Sequence, residues 1–149
     1  MSHRSSYQRA MSDSPEMLSS RAIFMSVEPQ LFVANMERSQ EFYTSKLGFR
    51  LEFVYGNPPF YGQVSRDHAR LNLRLVSEPV FNGDIRIREG LLSATITVAT
   101  ASEIQQLFLD YQASEVPFHQ TLKKEPWGSR TFVVADPDGN LLLFAGPAE

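Results

Sequence analysis

Apolar and polar residues alternate along short stretches of this chain, and two longer stretches carry apolar residues at helical spacing. Alternation with a period of two is typical of β-strands, because successive side chains of a strand point to opposite faces. In Ala69–Val76, for example, leucines alternate with arginine and asparagine. Apolar residues on one helical face predict amphipathic helices over Met36–Leu47 and Ala101–Ala113. The chain therefore combines many short strands with two helices.

The predicted elements follow the same order in both halves of the chain: a strand, a helix and then three strands. The strands are predicted at Glu28–Val33, Phe49–Tyr55, Phe60–Ser65 and Ala69–Val76 in the first half, and at Ser93–Ala99, Val116–Leu122, Thr131–Ala135 and Leu141–Ala145 in the second. The last two form a hairpin, since the intervening residues Asp136–Asn140 include a proline and a glycine. The repeated order predicts two βαβββ modules.

Changes in composition set the boundaries of these modules. Pro, Gly, Asn and charged residues dominate between the two halves, so residues 78–91 are predicted to be a linker. Residues 26–77 form the predicted first module, residues 92–149 the second, and residues 1–25 a flexible N-terminal tail. The predicted fold class is α+β, with curved mixed sheets, helices on their outer faces and a concave cleft.

The composition is that of an ordinary globular protein. The 149 residues are 42% hydrophobic and 21% charged, and the net charge is −3. This balance gives no basic surface for nucleic acid, and no apolar run is long enough to span a membrane. Cysteine is absent, which suits a reducing compartment, and residues 1–22 lack the apolar core of a signal peptide. We expect a cytoplasmic protein with no nucleic-acid or membrane partner.

One face of each predicted sheet is polar. Arg70, Asn72 and Arg74 share a face opposite the leucines of the same strand. A polar face is commonly a solvated surface, but it lines a concave ligand pocket if the two halves, or the halves of two chains, face one another. Aromatic residues near the strand ends would then form flat walls, with core or rim packing as the alternative interpretation: Phe53, Phe60, Tyr61 and Trp127.

Residues for acid–base or nucleophilic chemistry are few. His68 lies in a predicted turn, and no Ser or carboxylate accompanies His119 at a spacing that would make a catalytic triad. Glu28 acting as a base without a metal is the remaining possibility. No phosphate-binding glycine loop or dinucleotide motif is present. We therefore assign no catalytic residue.

Several motifs together resemble the vicinal oxygen chelate superfamily, the group of glyoxalases, extradiol dioxygenases and bleomycin-resistance proteins. They are Val33–Tyr43, Lys46–Phe49, Pro126-Trp127-Gly128 and Asp136–Asn140, and the resemblance spans roughly Glu28 to Gly146. The Pro-Trp-Gly motif and the run Gly48–Val54 look more like the bleomycin-resistance branch. The resemblance implies two βαβββ modules completed by a symmetric homodimer with two deep clefts. In that branch cleft aromatics hold a planar drug tail, which carries over here to Phe53, Phe60 and Trp127.

The resemblance also implies where the enzymes of the superfamily hold a divalent metal. The four matched positions are Glu28, Asn72, Ser93 and Leu143. Only Glu28 is a competent ligand, and one carboxylate with an Asn, a Ser and a Leu does not make the ligand set that Zn²⁺, Ni²⁺ or Fe²⁺ needs. The sequence departs from the metalloenzyme pattern, so we predict no metal and no other cofactor.

The favoured hypothesis is a non-enzymatic protein that sequesters a planar or amphipathic small molecule between aromatic walls. Glu28, Asn72 and Arg130 would orient the ligand by polar contacts. Arg70 and Arg74, if they point into the cleft, would repel cationic bleomycin and select an anionic compound. The alternatives are a metal-dependent lyase or oxygenase with an atypical ligand set, and a dimer whose cleft is vestigial.

Overall fold

The computed structural model describes residues 21–80 and 83–148. Its elements are β1 (Gln30–Val33), α1 (Met36–Glu41), β2 (Arg50–Tyr55), β3 (Tyr61–Arg66), β4 (Ala69–Leu75), α2 (Ile85–Glu89), β5 (Leu92–Thr97), α3 (Ala101–Ala113), β6 (Phe118–Lys124), β7 (Arg130–Ala135) and β8 (Leu141–Gly146). Most of the predicted flexible tail, residues 1–20, lies outside the described residues. No helix in the described part is long and apolar enough to cross a membrane.

The strands form two four-stranded mixed sheets with the same topology. The first has the order β1-β4-β3-β2 and the second the order β5-β8-β7-β6. In each sheet the first strand pairs in parallel with the last, and the other pairs are antiparallel. Each module thus connects its first two strands through a helix and adds two strands by hairpins. The predicted α+β fold with two βαβββ modules is confirmed.

Local sequence explains where the elements begin and end. Asn35 caps α1, because its side chain accepts a hydrogen bond from the backbone N–H of Arg38 at 2.9 Å. Thr100 and Glu103 form a reciprocal capping box at the start of α3. Proline precedes both β1 and β6, and since its ring removes the backbone donor, these strands begin two residues later than predicted.

Two features of the helices differ from the predictions. The predicted helix Met36–Leu47 is α-helical only as far as Glu41 and continues as a π-helical segment over Phe42–Lys46. The predicted linker contains a short helix, α2, which ends at Gly90 in the left-handed conformation (φ +63°). Alternating isoleucine and arginine in α2 carry no helical spacing of apolar residues, so the pattern does not indicate this helix.

A single hydrophobic core joins the two modules. Its central residues come from one face of each sheet and from the helices, and they include Leu31, Val33, Leu71, Leu73, Tyr111, Phe132, Val134, Leu142 and Phe144. Phe132 and Phe144 stack with their ring centroids 5.1 Å apart. We call this side of each sheet the helix-packed face and the opposite side the open face. The core residues of both sheets lie on their helix-packed faces.

Buried hydrogen bonds also tie the modules together. The Tyr43 hydroxyl donates to Asp136 Oδ2 at 2.8 Å, and the Asn140 side chain donates to the Phe32 carbonyl at 3.1 Å. Burial, and next to it the charge of Asp136, raises the pKa of Tyr43 well above its ordinary value. The Tyr111 hydroxyl donates to the Leu47 carbonyl at 2.8 Å, and burial raises the pKa of Tyr111 to about 12. Both tyrosines therefore remain protonated donors at neutral pH.

Candidate functional site

The open face of the first sheet carries a row of polar side chains at one level. The strand register places Gln30 beside Asn72, Asn72 beside Gln63, and Gln63 beside Phe53. Gln63 Nε2 donates to Asn72 Oδ1 at 2.9 Å. Although it lies on the open face, Asn72 is only 5% exposed. Its side-chain amide is therefore held in a fixed orientation between neighbouring strands.

Aromatic side chains form one end of this face. Phe53 and Tyr61 have ring centroids 6.1 Å apart, and Tyr55 and Phe60 have theirs 5.6 Å apart in an edge-to-face arrangement. The Tyr61 hydroxyl lies 3.4 Å from Gln30 Oε1. Phe53, Tyr55 and Phe60 are exposed, although large apolar rings usually pack in the core. The structure brings together the predicted residues Phe53, Phe60 and Tyr61 and adds Tyr55 to them.

Charged side chains flank the row. The register of β2 shifts between Leu51 and Phe53, and the Glu52 carboxylate accepts hydrogen bonds from Ser65 and, at 2.7 Å, from Arg50. These bonds, that from Ser65 first, hold the pKa of Glu52 below its ordinary value. Arg70 and Arg74 lie on the same open face, two residues to either side of Asn72, and both are exposed. This face presents hydrogen-bonding amides, flat rings and guanidinium groups together.

The open face of the second sheet is different. At the level that corresponds to the row of the first sheet, Thr95 lies beside Leu143 and Leu143 beside Val133. Val133 is buried, and so is Leu141. Thr131, also buried, accepts a hydrogen bond from Gln120 at 3.0 Å and donates one to Glu125 at 2.7 Å. This face is therefore apolar at the level of the row, and only Thr95 and, in part, Leu143 of that row are accessible.

The remaining predicted site residues lie apart from the aromatic cluster of the first sheet. Trp127 is in the loop between β6 and β7 and is 73% exposed, and within the described residues it makes no ring contact with that cluster. Arg130 opens β7, where alternation places its side chain on the side of Phe132, and its buried Nε has no hydrogen-bond partner. Glu28 precedes β1 and accepts a hydrogen bond from the Ser26 hydroxyl. Their roles in ligand binding stay predictions.

The four positions implied for a divalent metal do not make a suitable donor set. The cross-strand partner of Asn72 is Gln30 rather than Glu28, and that of Leu143 is Thr95 rather than Ser93. The Ser93 hydroxyl instead lies 3.3 Å from Asn140 Oδ1. Whether the four positions are filled by the implied residues or by Gln30 and Thr95 in place of Glu28 and Ser93, they supply at most one carboxylate and no imidazole. In the described part of the chain no three His, Cys, Asp or Glu side chains come together as a metal site.

Sequence reasoning missed Gln30, Tyr55 and Gln63 as members of the site. Alternation from the apolar residues Leu31 and Val33 already places Gln30 on the open face, and Tyr55 follows Phe53 by two residues on the same strand. Gln63 had no such signal, because its contact with Asn72 depends on the pairing of β3 with β4.

Comparisons with known proteins agree with this geometry. The family model described as Glyoxalase/Bleomycin resistance protein/Dioxygenase superfamily matches residues 25–144. A glyoxalase/bleomycin resistance protein/dioxygenase from Alicyclobacillus acidocaldarius has a similar structure, with a TM-score of 0.70 and 19% identity over 84% of this chain and 92% of that one. The bleomycin-binding protein of Streptomyces verticillus, crystallised with copper(II)-bleomycin, matches with a TM-score of 0.63. Its sequence identity is 22%, and the match covers 83% of this chain and 97% of that one. Comparison with curated proteins found no significant match. At these identities the solved structures show a shared fold.

Proposed function

The chain belongs to the glyoxalase/bleomycin resistance protein/dioxygenase superfamily, and on that basis we propose that it is a small-molecule binding protein of the bleomycin-resistance type. It sequesters a planar or amphipathic ligand in a cleft without using a metal. The observation that carries the proposal is the open face of the first sheet, where oriented amides adjoin a cluster of exposed aromatic rings. Polar groups that fix orientation beside flat apolar walls are the usual make-up of a ligand site.

The ligand would lie with a flat ring against Phe53 and Phe60 and with polar atoms towards Asn72 and Gln30. Stacking on exposed rings removes apolar surface from water on both partners, which is worth about 25 cal/mol per Å². Asn72 is already held by Gln63, so little side-chain freedom is lost when a ligand binds. Glu28, which lies next to Pro29 at the start of β1, is close enough in sequence to border the same site.

Charge favours an anionic group on the ligand. Arg70 and Arg74 flank Asn72 on the open face, whereas the nearby carboxylate of Glu52 is already paired with Arg50. Guanidinium groups bind carboxylate, sulfonate or phosphate oxygens through directed hydrogen bonds. We therefore infer a planar aromatic compound with an anionic substituent, rather than a cationic drug such as bleomycin.

A homodimer would complete the cleft. In one chain the residues that meet in the shared core are those of the two helix-packed faces, so we place the partner of each open face in a second copy. A second copy related by a two-fold axis can place its apolar second sheet opposite the polar first sheet of this chain. Trp127 and the partly buried Leu143 would then contribute from one copy, and Asn72 and Phe53 from the other. Two equivalent clefts result.

No observation favours metal-dependent catalysis in this cleft. A lyase or oxygenase of the superfamily type needs several imidazole or carboxylate ligands, and Gln30, Asn72, Thr95 and Leu143 supply none. Metal analysis of protein purified without chelators tests this point. The enzyme alternative would be favoured if each cleft held one divalent ion and if a chelator removed both that ion and a measurable catalytic activity.

The binding proposal is tested by calorimetric titration with a planar aromatic sulfonate, its cationic ammonium analogue and metal-free bleomycin. We expect saturable binding of the sulfonate, weaker binding of both cations, and a change in the fluorescence of Trp127, the only tryptophan of the chain. Phe53→Ala should weaken binding about tenfold or more, whereas Leu109→Ala on the exposed side of α3 should not. If none of the compounds binds at millimolar concentration, or if Phe53→Ala binds as well as the parent protein, the proposed site is wrong.

A further inference from the structure

The hairpin turns of the two modules contact the opposite module in different ways. The turn between β7 and β8 lies against the first module, where Asp138 accepts hydrogen bonds from the Ala34 backbone at 3.0 Å and from Arg38 at 2.9 Å. The corresponding turn between β3 and β4 has only two residues, Asp67 and His68, against five between β7 and β8. A cavity of about 540 Å³ lies between this shorter turn and the second module, at the end of β5 and along α3. We call this cavity the seam groove.

The floor of the seam groove is apolar and incompletely covered. Ile96, Val98 and Leu107 line it, and although they pack against the shared core they are only partly buried. Phe49 of the first module and Phe144 of the second also line it. Small-molecule sites have volumes of about 300 to 1,000 Å³ and mostly apolar walls, so the groove has the size and lining of such a site. A ligand that covers this floor removes apolar surface from water and contacts both modules.

A position that is cationic in the first contact is anionic in the seam groove. Arg38 and Glu103 correspond, because each is the third residue after the N-cap of its helix. Arg38 pairs with Asp138 of the opposing turn. Glu103 lines the seam groove, where its Oε1 accepts a hydrogen bond at 3.0 Å from the backbone of Ala99, the residue that corresponds to Ala34. The second module therefore presents a carboxylate where the first presents a guanidinium, and the group that complements it is a cation.

The remaining charged groups of the seam groove favour the same ligand charge. Three carboxylates line it together with one guanidinium and one imidazole: Asp67, Glu103, Asp110, Arg66 and His68. The guanidinium of Arg66 is already engaged by the protein, since its Nη1 donates to the Leu47 carbonyl at 2.8 Å. Carboxylates attract a protonated amine and repel an anion of the same shape.

We propose that the seam groove is a second small-molecule site and that it binds an amphipathic amine. The apolar body of the amine covers Ile96 and Leu107, and its ammonium group lies towards Glu103 and Asp110. Among the described residues, the groove shares none of its lining with the site on the open face. The inference is therefore independent of the proposed function, and the two sites prefer ligands of opposite charge.

Titration with phenylbutylamine and with its anionic counterpart phenylbutyrate tests the site, monitored by methyl NMR. We expect saturable binding of the amine, at least about tenfold weaker binding of the acid, and shifts of the methyl signals of Ile96 and Leu107. Leu109, which lies on the exposed side of α3, should not shift. Equal binding of both compounds, or shifts confined to other residues, overturns the proposal. Shifts of the groove methyls on dilution without ligand would overturn it too, because a segment of a second copy would then fill the groove.

Charge variants test the assigned role of the carboxylates. Glu103→Gln keeps a side-chain acceptor for the capping box of α3, so the helix start is retained while the charge is removed. This variant and Asp110→Asn should each weaken amine binding about fivefold. Glu37→Gln, an exposed change in the first turn of α1, should leave it unchanged. Unchanged affinity in both groove variants would contradict the proposal.

Blocking the groove covalently gives an independent measurement, because the chain contains no cysteine of its own. Gln106 lines the groove, so Gln106→Cys labelled with benzyl methanethiosulfonate should lose amine binding. The unlabelled variant and labelled Leu109→Cys should retain it. Amine binding that survives the label on Gln106→Cys overturns the proposal.

The aromatic sulfonate separates this proposal from the proposed function. Labelled Gln106→Cys should bind the sulfonate as the parent protein does, and if it loses both compounds, the groove is not a separate site. A protein that binds the sulfonate but not the amine refutes only the seam-groove site. A protein that binds the amine but none of the compounds assigned to the open face refutes only the proposed function.

Discussion

The two sheets of this protein have the same topology and the same pattern of pairing, yet their open faces carry different chemistry. In the first sheet the central row is Gln30, Asn72 and Gln63, and in the second the corresponding row is Thr95, Leu143 and Val133. The helix-packed faces of both sheets, in contrast, are predominantly apolar and meet in one core. The backbone of a βαβββ module is therefore specified by one face, which leaves the other face free to differ.

The largest effects are expected on the helix-packed faces, where the two sheets should behave alike. Phe132→Ala in the second sheet and Leu73→Ala in the first each leave a cavity in the shared core, so each should lower the free energy of unfolding by about 3 to 5 kcal/mol. Urea unfolding monitored by circular dichroism measures both. Because the core is common, both variants should unfold in a single transition. Separate unfolding transitions for the two modules would show that they do not share one cooperative core.

Exchanging residues between the open faces should show how they differ. Leu143→Asn places an amide in the apolar surface of the second sheet and should cost about 2 kcal/mol of stability. Asn72→Leu makes the reciprocal change in the first sheet, removes the hydrogen bond with Gln63, and should alter stability by less than about 1 kcal/mol. Its effect should instead fall on ligand binding. If Asn72→Leu is the more destabilising of the two, the polar row is a structural element and not a ligand surface.

The smallest effect concerns the charge of Glu52 on the open face of the first sheet. The hydrogen bond from Ser65 lowers the pKa of Glu52, so Ser65→Ala should raise it towards the ordinary value. A lowered carboxyl pKa contributes stability that is present above the ordinary pKa and is lost as the pH falls through the folded-state pKa. The loss on acidification should therefore be smaller in the variant and should be complete at a higher pH. Carboxyl NMR titration measures the pKa of Glu52. An unchanged pKa in Ser65→Ala would show that the hydrogen bond from Ser65 is not what lowers it.

Alternation and turn chemistry were enough to predict most of the fold. Leu71 and Leu73 were correctly assigned to the core face, and the hairpin turn Asp136–Asn140 was correctly placed. The π-helical segment was missed because it is defined by backbone hydrogen bonds such as that from Leu47 N–H to the Phe42 carbonyl, and both residues also fit the predicted helical face. The short helix α2 was missed because its residues read as a charged linker.

The candidate site was less accessible from sequence, since its members come from four strands. Phe53 and Tyr61, which belong to adjacent predicted strands, lie together, whereas Trp127, another aromatic residue of the predicted group, makes no ring contact with them among the described residues. The family resemblance gave Glu28 as the first matched position, whereas the register of β1 on β4 places Gln30 beside Asn72. Cross-strand register is a property of the assembled sheet, and a single strand does not reveal it.

The turn between β7 and β8 has a consequence for how the chain can be rearranged. Asp136 accepts a hydrogen bond from the Tyr43 hydroxyl. Asp138 accepts hydrogen bonds from the Arg38 side chain and from the backbone N–H of Ala34. Asn140 donates one to the Phe32 carbonyl, and all four partners belong to the first module. Hairpin loops ordinarily tolerate inserted residues, but this loop connects the two modules through hydrogen bonds. An insertion at Gly139 would break hydrogen bonds between the modules. Fusion partners and the new termini of circular permutants should therefore be placed in other loops.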